Sequence, residues 1–578
     1  THTSYTYFVF VSFRVRFFKY HLKNPKMIFI LLIFHSVQPA PATLCTSRVF
    51  CQGPLLHTVQ MARIFPDSKT FVDLKMIHDE KTTLRNFRRF LNTNQQKPNK
   101  TQTKKFVSEN FQKHSEFENW VPPDFTPSPE ILSHITDNEI RNFTTNLVKI
   151  WPQLARKVRP EVLKSSQLYT IIPVKNGFIV PGGRFREFYY WDTYWIVEGL
   201  LLCEMYTTVR GILDNFVFMV KKYGFVPNGS RIYYLNRSQP PLLTLMVASY
   251  ITATNDIQWL NQNIKFLDLE LHFFLKNRLT HVVKNGTKYH LAHYVSHFGT
   301  PRPESYFEDM TTASSLPNHE KRTILFESLN SAAESGWDFS SRWIVDQYGG
   351  TNANLADIHT SRIIPVDLNA FLCQAFLKLG KLYSLLGNEE RSGYWMEKGD
   401  DWRKNIEAVF YHKEDGIWYD CDNVMGKPRR LIYMRKVVPL WAGVYNLDKA
   451  EEVGHKAAGY LVTQGVLDFD GGLPTSLTPS GEQWDYPNAW PPLQAMVIFG
   501  LDQSRDPKAQ KIAEALAQKW LHSNLECFYQ TQKMFEKYDV QHFGESGNGG
   551  EYTVQSGFGW TNGVLFQLIN RYYTKKKR

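Results

Sequence analysis

Cysteine is scarce in this chain of 578 residues: six, at positions 45, 51, 203, 373, 421 and 527. A disulfide scaffold is therefore excluded, and burial of apolar surface must carry the fold. Cys45 and Cys51 are close enough in sequence to form a bridge, while Cys203 and Cys373 lie in apolar runs and read as buried thiols. No Cys or His spacing matches a zinc site. An apolar run of membrane-spanning length is also missing toward the C-terminus, where the chain passes from Leu565 through Arg571 into the basic tail Lys575 to Arg578. Acidic residues are absent from residues 1 to 26, which carry Arg14, Arg16, Lys19, Lys23 and Lys26. The net charge of +12 is thus partly terminal and otherwise dispersed, without the clustered basic face that a nucleic-acid or membrane-surface partner requires.

The composition that remains, 43% hydrophobic and 21% charged, is that of a globular chain with a sizeable core. The first methionine, Met27, opens an apolar stretch that gives way to small residues around Pro39 to Ala42, the pattern of a secretory signal peptide. This divides the chain into upstream translated sequence over 1–26, a signal peptide over 27–42, one catalytic domain over 43–574 and a basic tail over 575–578. Secretion is expected. Sequons stand at Asn99, Asn142, Asn228, Asn236 and Asn285.

Residues 85 to 116, rich in Asn, Gln, Lys and Thr, read as an exposed loop or weak helices. Beyond Trp120 the periodicity is helical. After Pro365, apolar residues from Leu368 to Leu386 recur at three- and four-residue spacing, with Asp367 as the expected N-cap and Gly387 as the stop. Similar runs lie at 193–206, 241–253, 391–410, 448–461, 491–500, 508–521 and 559–572, and short β-like pieces at Ile171-Ile172 and Phe178–Val180 are minor. The fold class is all-α.

Between the helical runs lie segments that make poor core. Pro181 to Trp195 interleaves Arg184, Arg186, Glu187 and Asp192 with a dense set of aromatic rings, and Gln483 to Pro492 repeats the mixture. A sugar presents hydroxyl edges that take charged or forked hydrogen-bond partners and a C–H face that packs on aromatic rings, so both segments read as carbohydrate-binding. Glycoside cleavage also needs one carboxylic acid and one carboxylate. Acids set among rings are the candidates, because burial holds one of them protonated. Asp338 between Trp337 and Phe339, and Glu536 after Phe535, have that setting, as do Glu187, Asp192, Glu304, Asp485 and Glu551. Composition does not choose among them.

The two segments resemble the paired signature segments of trehalases, and Pro227–Pro241, Arg302–Tyr306, Glu334–Trp343, Glu536–Asp539 and Gly549–Tyr552 are similar to further segments of that family in its order. The resemblance runs from about Val59 to Gly563. It implies an (α/α)6 barrel with extended active-site loops, and hydrolysis of trehalose to two glucoses with inversion. Asp338 is then the general acid and Glu536 the base that activates water. Arg184, Arg237 and Arg302 face the substrate; Trp191, Asp192, Asn228, Ser238, Gln239, Glu304, Gly336 and Glu551 contact sugar; Trp484 and Asp485 lie near the site. The resemblance implies no metal or organic cofactor, a small-molecule substrate, no stable membrane association and a monomer. One departure from the family is Asn548 within the glycine tract before Glu551. Two rivals remain: another inverting glucosidase on the same helical ring, and a sugar binder without catalysis, which predicts loss of a carboxylate.

Overall fold

The computed structural model describes residues 45–575, apart from 347–348 and 351–352. The expected upstream segment, the signal peptide and the last residues of the basic tail lie outside the described residues.

Two helices, α1 (Glu80–Thr93) and α2 (Lys100–Asn110), occupy the stretch expected as a loop or weak helices. Their polar composition hides good ends: Asp79 accepts from the Thr82 amide, and Asn99 forms a capping box with Gln102. Phe87, Phe90 and Phe106 then pack ring to ring across the pair.

The main body comprises α3 (Asp192–Leu202), α4 (Tyr206–Tyr223), α5 (Leu243–Thr254), α6 (Ile257–Asn277), α7 (His319–Glu334), α8 (Val366–Leu385), α9 (Glu389–Phe410), α10 (Val438–Ala442), α11 (Ala450–Thr463), α12 (Pro491–Gln503), α13 (Pro507–Thr531) and α14 (Gly559–Tyr572). Helices α3, α5, α8, α10, α12 and α14 pack each on the next, and α14 returns to pack on α3. These are apolar nearly all round: residues 491–498 of α12 are all buried. Others, such as α9, α11 and α13, pack one face and expose the rest. The closing contact needs glycine on both sides. A Cβ on Gly563 would stand 1.9 Å from the Trp195 carbonyl oxygen, and one on Gly199 would stand 2.8 Å from the Gly563 Cα.

Helix α8 starts one residue before the expected cap. Pro365 is its N-cap, and Asp367 turns inward to pair with Arg342 at 2.9 Å. The expected stop, Gly387, has φ +71°. A hairpin joins strands β1 (Leu279–Lys284) and β2 (Thr287–Ala292) through Asn285-Gly286, both at positive φ, as a two-residue turn with right-handed strand twist requires. The Ile171 piece is an isolated bridge to Arg231, and Phe178–Ile179 is a short strand. Cys45 and Cys51 form a disulfide, and Cys203 and Cys373 are buried thiols, as are Cys421 and Cys527. Among the described residues, no helix is long and apolar enough to cross a membrane.

Candidate active site

The helices α3, α12 and α14 begin at one cavity. Trp191, Trp490 and Phe558 are their N-cap residues, and all three line it. Much of the rest of the wall comes from single residues of the segments 67–69, 184–189, 228–239, 302–308, 333–338 and 551–552, with Trp484 and Glu536, and Asp192 and Trp560 add the first turns of α3 and α14. The space, including its open mouth, is about 900 Å³.

Stacked indoles make the floor. Trp484 lies parallel to Trp490 at 3.8 Å and to Trp337 at 5.3 Å, and Trp191 and Trp560 meet edge to face at 5.7 Å. Gly336 fits against the Trp191 indole because it lacks a side chain: its φ is +74°, and a Cβ would come 2.7 Å from that ring. That turn delivers Asp338 to the cavity at the end of α7.

Of the residues expected at the site, Asp338, Glu536, Arg184, Trp191, Asp192, Asn228, Arg237, Gln239, Arg302, Glu304, Gly336, Glu551 and Trp484 line this one cavity. Ser238 does not. Its hydroxyl donates to the Val226 carbonyl at 2.7 Å and its amide to Glu334 at 2.8 Å, so it braces the loop that presents Arg237 and Gln239. Asp485 is also off the wall, where it accepts from the hydroxyls of Ser340, Ser341 and Ser476 and the Ser341 amide, fixing the chain just beyond Asp338. Glu187 is buried in an ion-pair network with Lys69 and Arg231.

The arginines differ in what they hold. Arg237 pairs with Glu304 at 2.7 Å and bonds Asn330 at 3.2 Å. Arg302 grips Asp309 at 2.6 Å and reaches Glu551 at 2.8 Å. Arg184 lies 4.9 Å from the Tyr552 ring centroid, and its buried Nε has no hydrogen-bond partner. Gln239 accepts from the Trp191 amide at 3.0 Å, which leaves its amide nitrogen for other contacts.

Burial pushes the Asp338 carboxyl up to about 6, with Arg302 pulling it down and Glu551 adding to the rise. Burial raises Glu536 too, against the opposing charge of Lys537, and the charge of Asp338 adds to the rise. Burial also lifts Asp192 well above the carboxylate range, helped by the charges of Glu536 and Asp338. Glu304 goes the other way: burial opposes its charge, but Arg237 and Arg302 outweigh it. The cavity therefore holds ionised and protonatable carboxyls side by side near neutral pH, which acid–base chemistry requires. Glu536 Oε1 accepts from the Tyr552 hydroxyl at 2.9 Å, while its Oε2 is buried with no partner. Among the described residues no His, Cys, Asp and Glu cluster is arranged to hold a metal ion.

Residues 63–573 match the family model described as Trehalase. The chain belongs to the trehalase family. It is 56% identical to the trehalase of Tenebrio molitor over 93% of this chain and 97% of that protein, and 45% identical to the Homo sapiens trehalase over 91% and 90%. Among solved structures it resembles the neutral trehalase of Saccharomyces cerevisiae, with a TM-score of 0.55 at 22% identity over 69% of this chain and 74% of that one. It is thus a glycoside hydrolase of the trehalase type.

Sequence reasoning missed several groups on the trehalase cavity wall. Tyr552, Trp490 and Trp560 sit within or beside segments already singled out, and their rings were the available signal. Lys69, Tyr189 and Tyr234 form a hydroxyl-and-amine cluster around Glu187: Lys69 donates to Glu187 at 2.6 Å, as does Tyr189 at 2.7 Å, and Tyr189 and Tyr234 hydroxyls bond at 2.8 Å. Nothing local to Lys69 announces a contact with residues more than a hundred positions away.

Proposed function

We propose that this chain is a secreted, monomeric α,α-trehalase that splits trehalose into two glucoses with inversion at the attacked carbon. Its closed circuit of inner helices, α3 through α14, with the outer helices against them, supports an (α/α)6 toroid as the architecture. The catalytic domain takes in residues 43–574, and the leader is removed on secretion.

In this reading Asp338 protonates the glycosidic oxygen while Glu536 removes a proton from the attacking water. Oε2 of Glu536 is the acceptor, since Tyr552 occupies Oε1. Burial raises both carboxyls, so over intermediate pH they share one proton, and the form with the proton on Asp338 is productive. Arg184, Arg237 and Arg302 present forked donors to sugar hydroxyls, and the Trp191 and Trp484 faces receive its C–H surface. Asp192, Asn228, Gln239, Glu304 and Glu551 supply the remaining polar contacts along the wall.

The observation that carries the proposal is that Asp338 and Glu536, far apart in sequence, line one aromatic cavity, where the charge of Asp338 adds to the rise of the Glu536 carboxyl. Asp338→Asn and Glu536→Gln are expected to fold with unchanged circular dichroism and to lose more than about 10³-fold in kcat on trehalose, as loss of a general acid or base does. Substantial turnover by either variant removes that residue from its role. Maltose cleaved as fast as trehalose favours the rival glucosidase.

A further inference from the structure

Glu536 is followed directly by a lysine shut off from solvent. Lys537 is 0% exposed and forms no ion pair among the described residues. Its Nζ donates to the Gly549 carbonyl at 2.9 Å and to Gln483 Oε1 at 3.2 Å, and lies 5.1 Å from the Trp490 ring centroid. Gln483 spends its other end on the active site: Nε2 donates to the backbone carbonyl of Asp338. The Lys537 carbonyl accepts from the Gly547 amide at 3.0 Å. One ammonium therefore touches the glycine tract ahead of Glu551 and, through Gln483, the peptide that carries Asp338.

We infer that Lys537 is a positioning residue for the hydrolysis: it ties the segments bearing Asp338, Glu536 and Glu551 to one buried point, and its positive charge beside Glu536 favours the carboxylate that accepts a proton from water. The inference rests on the trehalase reading of the site.

Burying an ammonium without a contacting carboxylate is costly, and a neutral amide would form the same hydrogen bonds for less. The charge itself must have a use. Glu536 and Asp338 are the charges that act on it; Glu536 and Asp338 act in turn on Asp192, the Tyr552 hydroxyl bonds Glu536, and Arg302 and Glu551 act on Asp338. Burial raises Glu536, and Lys537 is the cation that opposes this rise. The same burial lowers Lys537, with Glu536 and Asp338 pulling back.

The test is kcat/KM on trehalose from pH 5 to pH 9 for wild type, Lys537→Met, Lys537→Gln and Gln483→Leu. Without the charge Glu536 holds its proton to higher pH, so the Met and Gln variants lose most at acid pH. Their activity relative to wild type should climb roughly tenfold toward pH 9, the effect of a shift of about one unit from losing a nearby opposite charge. Gln keeps an N–H donor for Gly549 and reads the same ratio should Met fail to fold. Gln483→Leu cuts the link but leaves the charge, so its activity should fall by a constant factor across pH. A ratio independent of pH for Lys537→Gln, or full activity in Gln483→Leu, overturns the inference. A wild type that leaves trehalose intact defeats instead the trehalase reading.

Discussion

The Tyr552 hydroxyl donates to Glu536 Oε1 at 2.9 Å and leaves Oε2 as a buried acceptor without a protein partner. One carboxylate oxygen is fixed, and the other is the one that takes the proton in the proposed mechanism. The ring of Tyr552 is itself fixed, edge-on to Phe185 at 5.3 Å and under the Arg184 guanidinium. Removing the hydroxyl frees the carboxyl to rotate and withdraws a donor that favours its charged form. Tyr552→Phe is expected to lower kcat about tenfold with little change in KM, and more at acid than at alkaline pH, because Glu536 then holds its proton to higher pH. Equal losses in kcat at pH 5 and pH 9 would contradict this.

Arg302 spends one guanidinium on two carboxylates, Asp309 at 2.6 Å and Glu551 at 2.8 Å. Lysine has the charge but not the fork, so it loses one partner. Arg302→Lys should therefore reduce kcat/KM on trehalose by about 10²-fold, the scale of loss when a group that positions substrate is misplaced. Steady-state kinetics read the loss, and activity within twofold of wild type would show that the fork is not needed.

Lys69 ties residues 67–73 to the segment before α3 by its 2.6 Å pair with Glu187, which is fully buried. Burial opposes the charge of Glu187, but Lys69 and Arg231 hold its carboxyl down at about 2. A carboxyl depressed on folding adds stability above its unfolded value, and that stability is lost as pH falls through the folded value. Lys69→Met is expected to cost about 3–5 kcal/mol at pH 7, as breaking a buried pair does. In thermal unfolding the gap to wild type should narrow as pH falls from 7 toward 3. A gap that widens in acid would contradict the account.

Asn228 and Asn236 are sequons the fold closes. They are 4% and 7% exposed, and Asn236 accepts from the Cys45 amide at 3.3 Å. Asn99, Asn142 and Asn285 lie on the surface. Peptide mass spectrometry of protein secreted from eukaryotic cells should find glycans at the exposed sites and bare asparagine at 228 and 236. A glycan at Asn228 would mean that the substrate loop reaches its folded position only after glycosylation.

Much of this was legible in the chain. Helices α3, α5, α8, α9 and α11 through α14 follow from apolar spacing, because each buries a face or is buried all round. Helices α4, α6, α7 and α10 lie outside the expected runs: α7 opens on the polar run His319 to Thr323, its buried side consists largely of Ser, Asn and Ala, and α10 is only five residues long. Helices α1 and α2 depend on caps and on phenylalanines that meet only after folding. The site segments stood out since glycine, charge and ring together make poor core. Their assembly was not visible, because contacts such as Lys69 with Glu187, or Gln483 with Asp338, join distant parts of the chain. Ser238 and Asp485 sit inside the right motifs but brace loops rather than face the cavity.

The most direct test of the mechanism is proton NMR of glucose in the first minutes of trehalose hydrolysis, before mutarotation mixes the anomers. In the proposed mechanism, water delivered by Glu536 to the face opposite the bond that Asp338 protonates gives one β-glucose from the attacked ring and one α-glucose from the leaving ring. Equal initial amounts of the two anomers are predicted. Initial release of α-glucose alone would mean retention through a covalent intermediate, and would contradict the acid and base roles assigned to Asp338 and Glu536.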